Sequence, residues 1–481
     1  MYTYKYLILK DIDVFKSYLS YILVSLIYKI FTLKISFSFQ YYHQKHLNLI
    51  KHLIIMETTQ FTETKPQNSI ETPFRVGSWL PSDKKILQNW MNDLIDETDK
   101  NPKDLLPVIA DFKAFIENDP EAFMFFNLMF SQVPKKYKKD PSGHKQVRDY
   151  HHMLQLFNTI MTNAPEFNKT GVVGFPINAI LDWSMGTEAG YAAFLNKKVN
   201  EQFKKILNEW GIFLKSADSC AVLSKDPRKG WFGKDAMDAM PNFDKEFICQ
   251  PELEYHGFTS WDNFFTREFR PGQRPLASPN DDSIITNACE SAPYRIAEKV
   301  NARDKFWIKA QPYSVEHMLA GDSFTSKFIG GTIYQAFLSA LSYHRWHSPV
   351  SGTIVKAYTI DGTYYAEAIS EGYDDAGPND SQGYITELAT RALIFIEADN
   401  PKIGLMCFMP VGMAEVSSCD ITVYEGQHVK KGDQLGMFHF GGSTHCLFFG
   451  PQVKLAFDMH GQKPGLNSSN IPLKSKIATV L

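Results

Sequence analysis

The residues with the clearest chemical potential lie near the end of the chain, in the stretch FHFGGSTHCLFF at 438–449. Ser443 follows two glycines there, although a glycine pair inside a β-type pattern loses backbone entropy and adds no side chain to pack. Farther upstream the chain supplies a histidine, His347, and a carboxylate, Glu290. Together these three side chains could supply the nucleophile, the base and the orienting acid of an activated serine. The simpler interpretation is that the glycines only form a hairpin turn or a bulge.

The carbonyl that Ser443 could attack lies in its own chain. The G-x-S-x-G elbow of α/β-hydrolases does not match, because His445 stands where that motif has its second glycine. A serine can instead attack the carbonyl of the preceding residue, and Gly442 lacks the Cβ that would hinder this approach. The ester that forms can eliminate to dehydroalanine, which hydrolyses to an N-terminal pyruvoyl group. This chemistry would divide the chain into a large fragment, 1–442, and a small fragment, 443–481.

Three other stretches carry side chains suited to a reaction centre. Glu290 lies among small and apolar residues in NACESAPY, so we expect it to be buried and paired with a histidine or an arginine. His344 and His347 lie three residues apart in SYHRWHSPVSGTIV; as a pattern alone they could also be structural or surface residues, and no third metal ligand is evident. The stretch SWDNFFTREFRPGQRPL is either a helix end with a Pro/Gly stop or an anion-facing segment, with arginines at 267, 270 and 274.

Composition narrows the classes of function. The 481 residues carry a formal net charge of −3, which gives no reason to expect nucleic-acid binding. The six cysteines are spread along the chain without C-x-x-C spacing. This spread argues against a zinc site or a disulfide framework, and it fits a reducing compartment.

The beginning of the chain differs in composition from the rest. An apolar run at 17–28 is ended by Lys29, before it reaches the roughly 20 apolar residues of a membrane-spanning helix. Two interpretations of 1–55 therefore stay open: a membrane segment, or translated upstream sequence ahead of a true start at Met56. Residues 56–81 are polar and predict a flexible lead-in.

The remaining pattern predicts an α+β fold. Residues 82–245 are helical in pattern, with a continuous helical segment expected at 107–131. Apolar residues in the same half recur at spacings of three and four, which puts them on one helix face: Leu195, Val199, Phe203, Ile206 and Trp210. After about residue 250, short β-type runs such as GTIVKAYTI and RALIFIEA take over, with turn signals between them. We therefore predict a helical N-terminal domain, 82–245, followed by a β-rich catalytic domain, 250–481.

Several of these motifs resemble one enzyme family, the pyruvoyl-dependent phosphatidylserine decarboxylases. Over about 255–480, FFTREFRPGQRPL is similar to the family's FFxR…RP segment, and YHRWHSPVSGTI to its YHRxHxPxxG motif. EGQHVKKGDQLGMFHFGGST is similar to its cleavage segment, KGxExGxFxxGS(T). FKAFIENDP and EWGIFLKS in the helical half further resemble a fungal-type branch that includes L-tryptophan decarboxylases, in which a helical domain precedes the catalytic one.

The resemblance implies a role for each candidate residue. Ser443 would be the pyruvoyl precursor, cleaved from Gly442, and the Thr444 amide could stabilise the oxyanion. His347 would be the base of self-cleavage and His344 would assist decarboxylation. The family's triad acid is an aspartate, which Glu290 would replace here in orienting His347. This chain further departs from the family in having GGST for LGST, and serine at 351 where the family has aspartate.

The resemblance also implies the cofactor and the partners. A pyruvoyl group made from Ser443 would form a Schiff base with the substrate amine, without a metal or pyridoxal phosphate. The substrate would be a free aromatic amino acid such as L-tryptophan or, alternatively, phosphatidylserine. The enzyme would consist of two chains from one precursor, and a homo-oligomer is compatible with this. We expect a cytoplasmic protein, or a membrane-associated one if 1–55 is a genuine segment.

Another class of protein shares part of this pattern. VYEGQHVKKGDQLGMF also resembles the hammerhead of biotinyl or lipoyl carrier domains, which present an exposed lysine at a hairpin tip. Lys430 and Lys431 lie beside the turn rather than in that context. A binding module or an inactive enzyme therefore stays open as an alternative.

Overall fold

The computed structural model describes most of the chain after residue 83. The described residues are 84–133, 147–167, 176–304, 313–338, 341–367, 381–416, 418–439, 443–465 and 467–481. The interpretations of 1–55 and 56–81 lie outside these residues. Among the described residues, no helix combines the length and apolar character needed to cross a membrane.

Helices dominate the first half of the described chain, and two short ones lie among the strands of the second half. They are α1 (Lys84–Lys100), α2 (Pro107–Asn118), α3 (Pro120–Gln132), α4 (Tyr150–Ile160), α5 (Pro176–Met185), α6 (Glu188–Leu195), α7 (Lys197–Leu214), α8 (Lys234–Ala239), α9 (Phe243–Glu246), α10 (Trp261–Phe265), α11 (Val315–Met318) and α12 (Gln382–Leu388). Short 3₁₀ turns lie at Ala217–Val222, Glu254–Gly257, Thr325–Lys327 and Ala414–Val416.

Helix caps explain where the sequence prediction was too coarse. The segment expected as one helix at 107–131 is two helices, because Asp119 caps α3 through the amides of Glu121 and Ala122, and proline follows at the first helical position. The apolar face of α7 is confirmed, since Val199, Phe203, Ile206 and Trp210 are all buried. Leu195 instead ends α6, because the Asn196 side chain caps α7.

Strands dominate the second half. They are β1 (Ile284–Thr286), β2 (Ala292–Glu298), β3 (Thr332–Leu338), β4 (Arg345–His347), β5 (Gly352–Ile360), β6 (Arg391–Ala398), β7 (Leu405–Gly412), β8 (Ser418–Ile421), β9 (His428–Val429), β10 (Gln434–His439), β11 (Ser443–Phe449), β12 (Leu455–Phe457) and β13 (Lys476–Val480). The predicted α+β class is confirmed.

Within the described chain the strands form three antiparallel sheets. The largest has seven strands in the order β2-β3-β11-β7-β6-β5-β9. Two three-stranded sheets have the orders β4-β10-β8 and β1-β13-β12. In the large sheet, β11 pairs with β3 on one side and β7 on the other, from Ser443 through Phe449. From Cys446 to Phe449 its side chains are buried without alternation, as expected for a strand covered on both faces.

One buried carboxylate links the large sheet to the helical half. Glu415 follows β7, and its Oε1 accepts hydrogen bonds from the amides of Ile177 (2.7 Å) and Asn178 (2.9 Å) in the first turn of α5. These are amides that a helix cannot satisfy internally, and the positive end of the helix dipole favours a carboxylate there. Glu415 therefore fixes α5 against the end of β7.

Helical and β-rich segments share one hydrophobic core, which contains Phe203 and Trp210 as well as Phe408 and Leu447. The described residues all belong to one compact unit. The division into 82–245 and 250–481 as separate domains therefore stays a prediction.

Replacing Glu415 with glutamine is expected to change how stability depends on pH. Burial raises the pKa of Glu415 from 4.5 to about 7, so the folded protein holds a proton that the unfolded chain releases between these values. Its contribution to stability is present below the unfolded pKa and is lost as the pH rises towards 7. Between about pH 5 and about pH 8, the wild type should lose on the order of 1–3 kcal/mol more unfolding free energy than Glu415→Gln.

Denaturant unfolding at the two pH values measures this difference, with Glu425→Gln, a change at an exposed carboxylate, as the control. The same pH dependence in wild type, Glu415→Gln and the control would show that Glu415 is ionised in the folded protein.

Candidate active site

Ser443 is the first residue of β11, the strand between β3 and β7. Its register partners are Leu338, the last residue of β3, and Gly412, the last residue of β7. Gly442 lies outside the described residues, and Ser443 is located here by its backbone. The predicted scissile bond thus falls at the point where the chain enters the large sheet.

His347 is a buried residue at the end of β4, and both of its ring nitrogens have partners. Nδ1 lies 2.8 Å from the carbonyl oxygen of Gly432, so Nδ1 carries the proton and donates it to this bond. Nε2 then accepts from the hydroxyl of Tyr343, at 3.1 Å. The tautomer assigned from these bonds directs the basic nitrogen towards Tyr343.

The surroundings of His347 keep its ring neutral. Burial lowers the pKa of His347 to about 4, with a further contribution from the positive charges of Lys474 and Arg345. The carbonyl of Gly432 acts in the opposite direction but does not outweigh them. At neutral pH the imidazole is therefore uncharged and able to accept a proton, as a general base must be.

Glu290 does not occupy the position that the sequence predicted. Its carboxylate accepts a bidentate set of bonds from Arg274, at 2.9 to 3.2 Å, and its Oε2 also accepts from the amide of Leu473, at 2.6 Å. Glu290 is buried and paired, as expected, but its partner is an arginine. His347 is oriented instead by the carbonyl of Gly432. The physical reason is that a guanidinium both neutralises a buried carboxylate and matches its two oxygens.

The other predicted residues lie close to the same strands. His344 is fully buried, its ring stacks on Phe265 at 3.9 Å, and its carbonyl accepts from the amide of Phe438 in β10. The hydroxyl of Thr444 donates to the carbonyl of Ala336 and accepts from Gln335, both in β3. The Thr444 side chain thus holds the start of β11 to its neighbour.

A cavity of about 630 Å³ is lined by Glu290 and by Tyr343, the hydrogen-bond partner of His347. One wall is apolar and comes largely from the helical half, including Met240, Phe243 and Phe247, while Phe269 adds a further aromatic ring. The volume is in the range of cavities that bind small organic molecules.

The polar side of this cavity leads to His347. Arg274, Glu290 and Tyr343 line it together with Ser342. Tyr343 packs its ring on Phe269 at 4.4 Å and reaches His347 with its hydroxyl. Burial raises the pKa of Tyr343 above its ordinary value, so the hydroxyl keeps its proton. Tyr343 therefore connects the cavity to the histidine.

Sequence reasoning missed two side chains of this region. Tyr343 lies within the YHRWH motif, but its residue type does not reveal its partner. His439 lies in FHFGGST itself: Nδ1 is 2.8 Å from Asp262 and Nε2 is 3.3 Å from Asp420. Burial alone would lower the pKa of His439, but the two carboxylates raise it above its ordinary value. This ion pair holds the last residue of β10, close to Gly442 in sequence.

The lysines that a carrier domain would use are placed differently from one another. Lys430 is exposed, and its amide donates to Asp433. Lys431 is buried, and its ammonium donates to the carbonyls of Ser278, Asp281 and Ile284 at 2.7 to 3.1 Å. Lys431 therefore fixes a turn to the segment before β1 and is not a displayed attachment site.

Comparisons with known proteins agree with this architecture. Two family models, both described as phosphatidylserine decarboxylase, match residues 106–240 and residues 261–465. The first match covers most of the helical half, and the second runs from α10 past the end of β12.

Similar proteins include fungal decarboxylases. An L-tryptophan decarboxylase of Psilocybe cyanescens is 40% identical over 82% of this chain and 92% of its own length. An L-tryptophan decarboxylase of Psilocybe cubensis is 38% identical over 78% of this chain and 88% of its own length. A phosphatidylserine decarboxylase proenzyme 3 of Schizosaccharomyces pombe is 33% identical, but over 42% of this chain and 20% of its own length.

The matches to the first two relatives cover 82% and 78% of this chain, which is more than its β-rich half contains, so they extend into the helical half. Their identity and coverage, with the two family matches in chain order, are sufficient to assign the family. The chain belongs to the phosphatidylserine decarboxylase family and is a carboxy-lyase.

Proposed function

We propose that this enzyme is a pyruvoyl-dependent decarboxylase of a free aromatic amino acid such as L-tryptophan, and that it matures by cleaving its own Gly442–Ser443 bond. The observation that carries the proposal is the position of Ser443 at the entrance of a central strand, next in the sheet to the strand that leads into Tyr343 and His347. A cytoplasmic location, suited to a free amino acid, is part of this proposal.

Cleavage would proceed through an ester. The Ser443 hydroxyl attacks the carbonyl of Gly442, the peptide nitrogen leaves as the amine of residue 443, and an ester joins the two residues. Loss of the serine α-proton expels the Gly442 carboxylate and leaves dehydroalanine, which takes up water and releases ammonia to become a pyruvoyl group. The pyruvoyl carbonyl supplies the electron sink that pyridoxal phosphate supplies in other decarboxylases.

The fold suits a chain break at this position. The small fragment, 443–481, would keep β11 hydrogen-bonded to β3 and β7 along its whole length. Its last strand, β13, pairs with β1 of the large fragment. The reactive group would thus be held at a fixed place after the covalent link is lost, as an active-site group must be.

Neutral His347 supplies a base for this reaction. Its Nε2 lone pair points to Tyr343, so a proton taken up by His347 can pass to or from the cavity through that hydroxyl. The Thr444 amide directly follows the serine and is the proposed donor to the oxyanion. His344, buried against Phe265, is the proposed proton donor after CO₂ leaves.

The cavity supports an aromatic amino acid as the substrate. Its apolar wall, with Phe243, Phe247 and Phe269, suits an aromatic ring, and Arg274 beside Glu290 offers polar groups at the opposite side. Similarity to L-tryptophan decarboxylases across the helical half, which supplies part of this wall, favours the same substrate class.

Substrate choice is tested by measuring CO₂ release from carboxyl-labelled L-tryptophan, L-phenylalanine and phosphatidylserine in mixed micelles. We expect turnover of one or both amino acids, with at most a few per cent of that rate on phosphatidylserine. Preferred turnover of the phospholipid would contradict the proposed substrate while leaving the decarboxylase assignment intact. Absence of turnover on all three substrates, in protein that has been cleaved, would also contradict it.

Cleavage is tested by replacing the nucleophile. Ser443→Ala should leave a single full-length chain on a denaturing gel and should abolish decarboxylation, because no hydroxyl remains to attack Gly442. Ser323→Ala, which removes an exposed hydroxyl elsewhere, is the matched control and should be cleaved like the wild type. Cleavage of Ser443→Ala at the same bond would contradict the proposal.

The roles of Glu290 and His347 are separated by comparing Glu290→Gln with His347→Gln. His347→Gln should stop self-cleavage. Glu290→Gln should be cleaved at a rate within about threefold of wild type, because Gly432 rather than Glu290 orients the imidazole. Its loosened pairing with Arg274 should raise the KM for the amino acid by about tenfold, the effect of one lost polar contact. If folded Glu290→Gln were not cleaved, Glu290 would have the triad role that the sequence suggested.

A further inference from the structure

A second cluster of reactive side chains lies outside the candidate active site. Asp244 in α9, Cys249 in the following loop and His256 in the 3₁₀ turn at Glu254–Gly257 bring their donor atoms within 4.8 Å of one another. An oxygen, a sulfur and a nitrogen donor are thus gathered within a short span of sequence. All three are ligands that proteins use for zinc.

The distances within the cluster agree with those between the ligands of one metal ion. Asp244 Oδ1 lies 3.3 Å from His256 Nδ1 and 3.7 Å from Cys249 Sγ. A tetrahedral Zn²⁺, with bonds of about 2.0 Å to oxygen and nitrogen and about 2.3 Å to sulfur, separates oxygen from nitrogen by about 3.3 Å and oxygen from sulfur by about 3.5 Å. The two distances from Asp244 therefore match the tetrahedral values to within about 0.2 Å, and the sulfur and the nitrogen lie within 4.8 Å of each other.

His256 is held towards the cluster at a cost in backbone strain. Its φ is +54° and that of Tyr255 is +52°, a left-handed conformation that residues other than glycine seldom adopt and that is retained where function or packing demands it. The imidazole stacks on Phe232 at 3.7 Å and 4°. The residue is more than nine-tenths buried, and its Nδ1 faces Asp244 Oδ1 at 3.3 Å without the alignment of a hydrogen bond.

The two other residues are fixed through their backbones. Arg270 donates from Nε to the carbonyl of Asp244 at 3.0 Å and from Nη2 to the carbonyl of Cys249 at 2.9 Å. Their side chains are partly exposed, which leaves room for water as a further ligand.

We propose that Asp244, Cys249 and His256 form a binding site for Zn²⁺ or a similar transition-metal ion, with water as the fourth ligand. The ion would join α9 to the loop that follows it. The same helix carries Phe243 and Glu246; Phe243 lines the cavity and Glu246 binds Arg274 at 3.1 Å. The site would therefore stiffen one wall of the cavity, and it does not depend on the function proposed above.

Cobalt titration tests the site directly. Full-length protein is treated with a chelator, desalted and titrated with Co²⁺, whose thiolate complexes absorb in the near ultraviolet and whose tetrahedral complexes absorb strongly in the visible. We expect one equivalent of Co²⁺ to bind with both bands, and one equivalent of Zn²⁺ to remove them. Absence of a saturable band, or visible bands of octahedral intensity without the thiolate band, would overturn the proposal.

Two variants identify the ligands. Cys249→Ser should abolish the thiolate band, and His256→Asn should weaken Co²⁺ binding at least about 100-fold, since loss of an outer partner alone costs 10–100-fold. Asparagine is chosen because it tolerates the left-handed backbone of this position. Cys419→Ser, which removes a half-buried thiol in β8, is the control and should bind Co²⁺ like the wild type.

Circular dichroism establishes that each variant is folded before its titration is compared. Wild-type binding by a folded His256→Asn protein would overturn the assignment even if Cys249→Ser could not be purified.

Discussion

The placement of β11 between two hydrogen-bonded neighbours is the constraint on which the rest of the structure depends. Ser443 opens this strand, and its register partners are the last residues of β3 and β7. The chain that leaves β3 passes through Tyr343 and His344 to His347, and the chain that leaves β7 reaches Glu415, which fixes α5. One strand entrance is thus the place where the serine begins its strand and where the segments that lead to the proposed base and to the helical half leave the sheet. A break before Ser443 would leave this arrangement intact, because both ladders lie on the far side of the break.

Burial determines which charges this region carries. His347 is kept neutral by burial, with Gly432 and Tyr343 as partners, whereas His439 is held between two carboxylates that favour its charged form. Glu290 keeps a guanidinium partner, so its charge is compensated at the edge of the cavity. The neutral histidine suits proton transfer, and the histidine held by two carboxylates suits the anchoring of β10 beside the cleavage segment. The proposed metal site would act on the apolar wall of the same cavity, to which α9 contributes Phe243.

The sequence was sufficient for the fold class and the family, because hydrophobic periodicity and several ordered motifs act over long segments. It also predicted that Glu290 would be buried and paired. It could not choose between histidine and arginine as the partner, since this depends on how the segment 16 residues upstream folds back to bring Arg274 to Glu290. The group that orients His347 is a backbone carbonyl, and such a group cannot be recognised from residue types. Likewise, Asp244, Cys249 and His256 follow no zinc spacing, and only the left-handed turn at Tyr255 and His256 brings them together.

The most direct test of the account is the intact mass of the purified wild-type protein under denaturing conditions. The account predicts two chains, one ending at Gly442 and one beginning at residue 443. The second should be lighter than the same fragment with an N-terminal serine by the mass of one ammonia, and it should gain two hydrogens on borohydride reduction. A single unmodified full-length chain, or a small fragment that begins with an intact serine, would contradict the pyruvoyl mechanism.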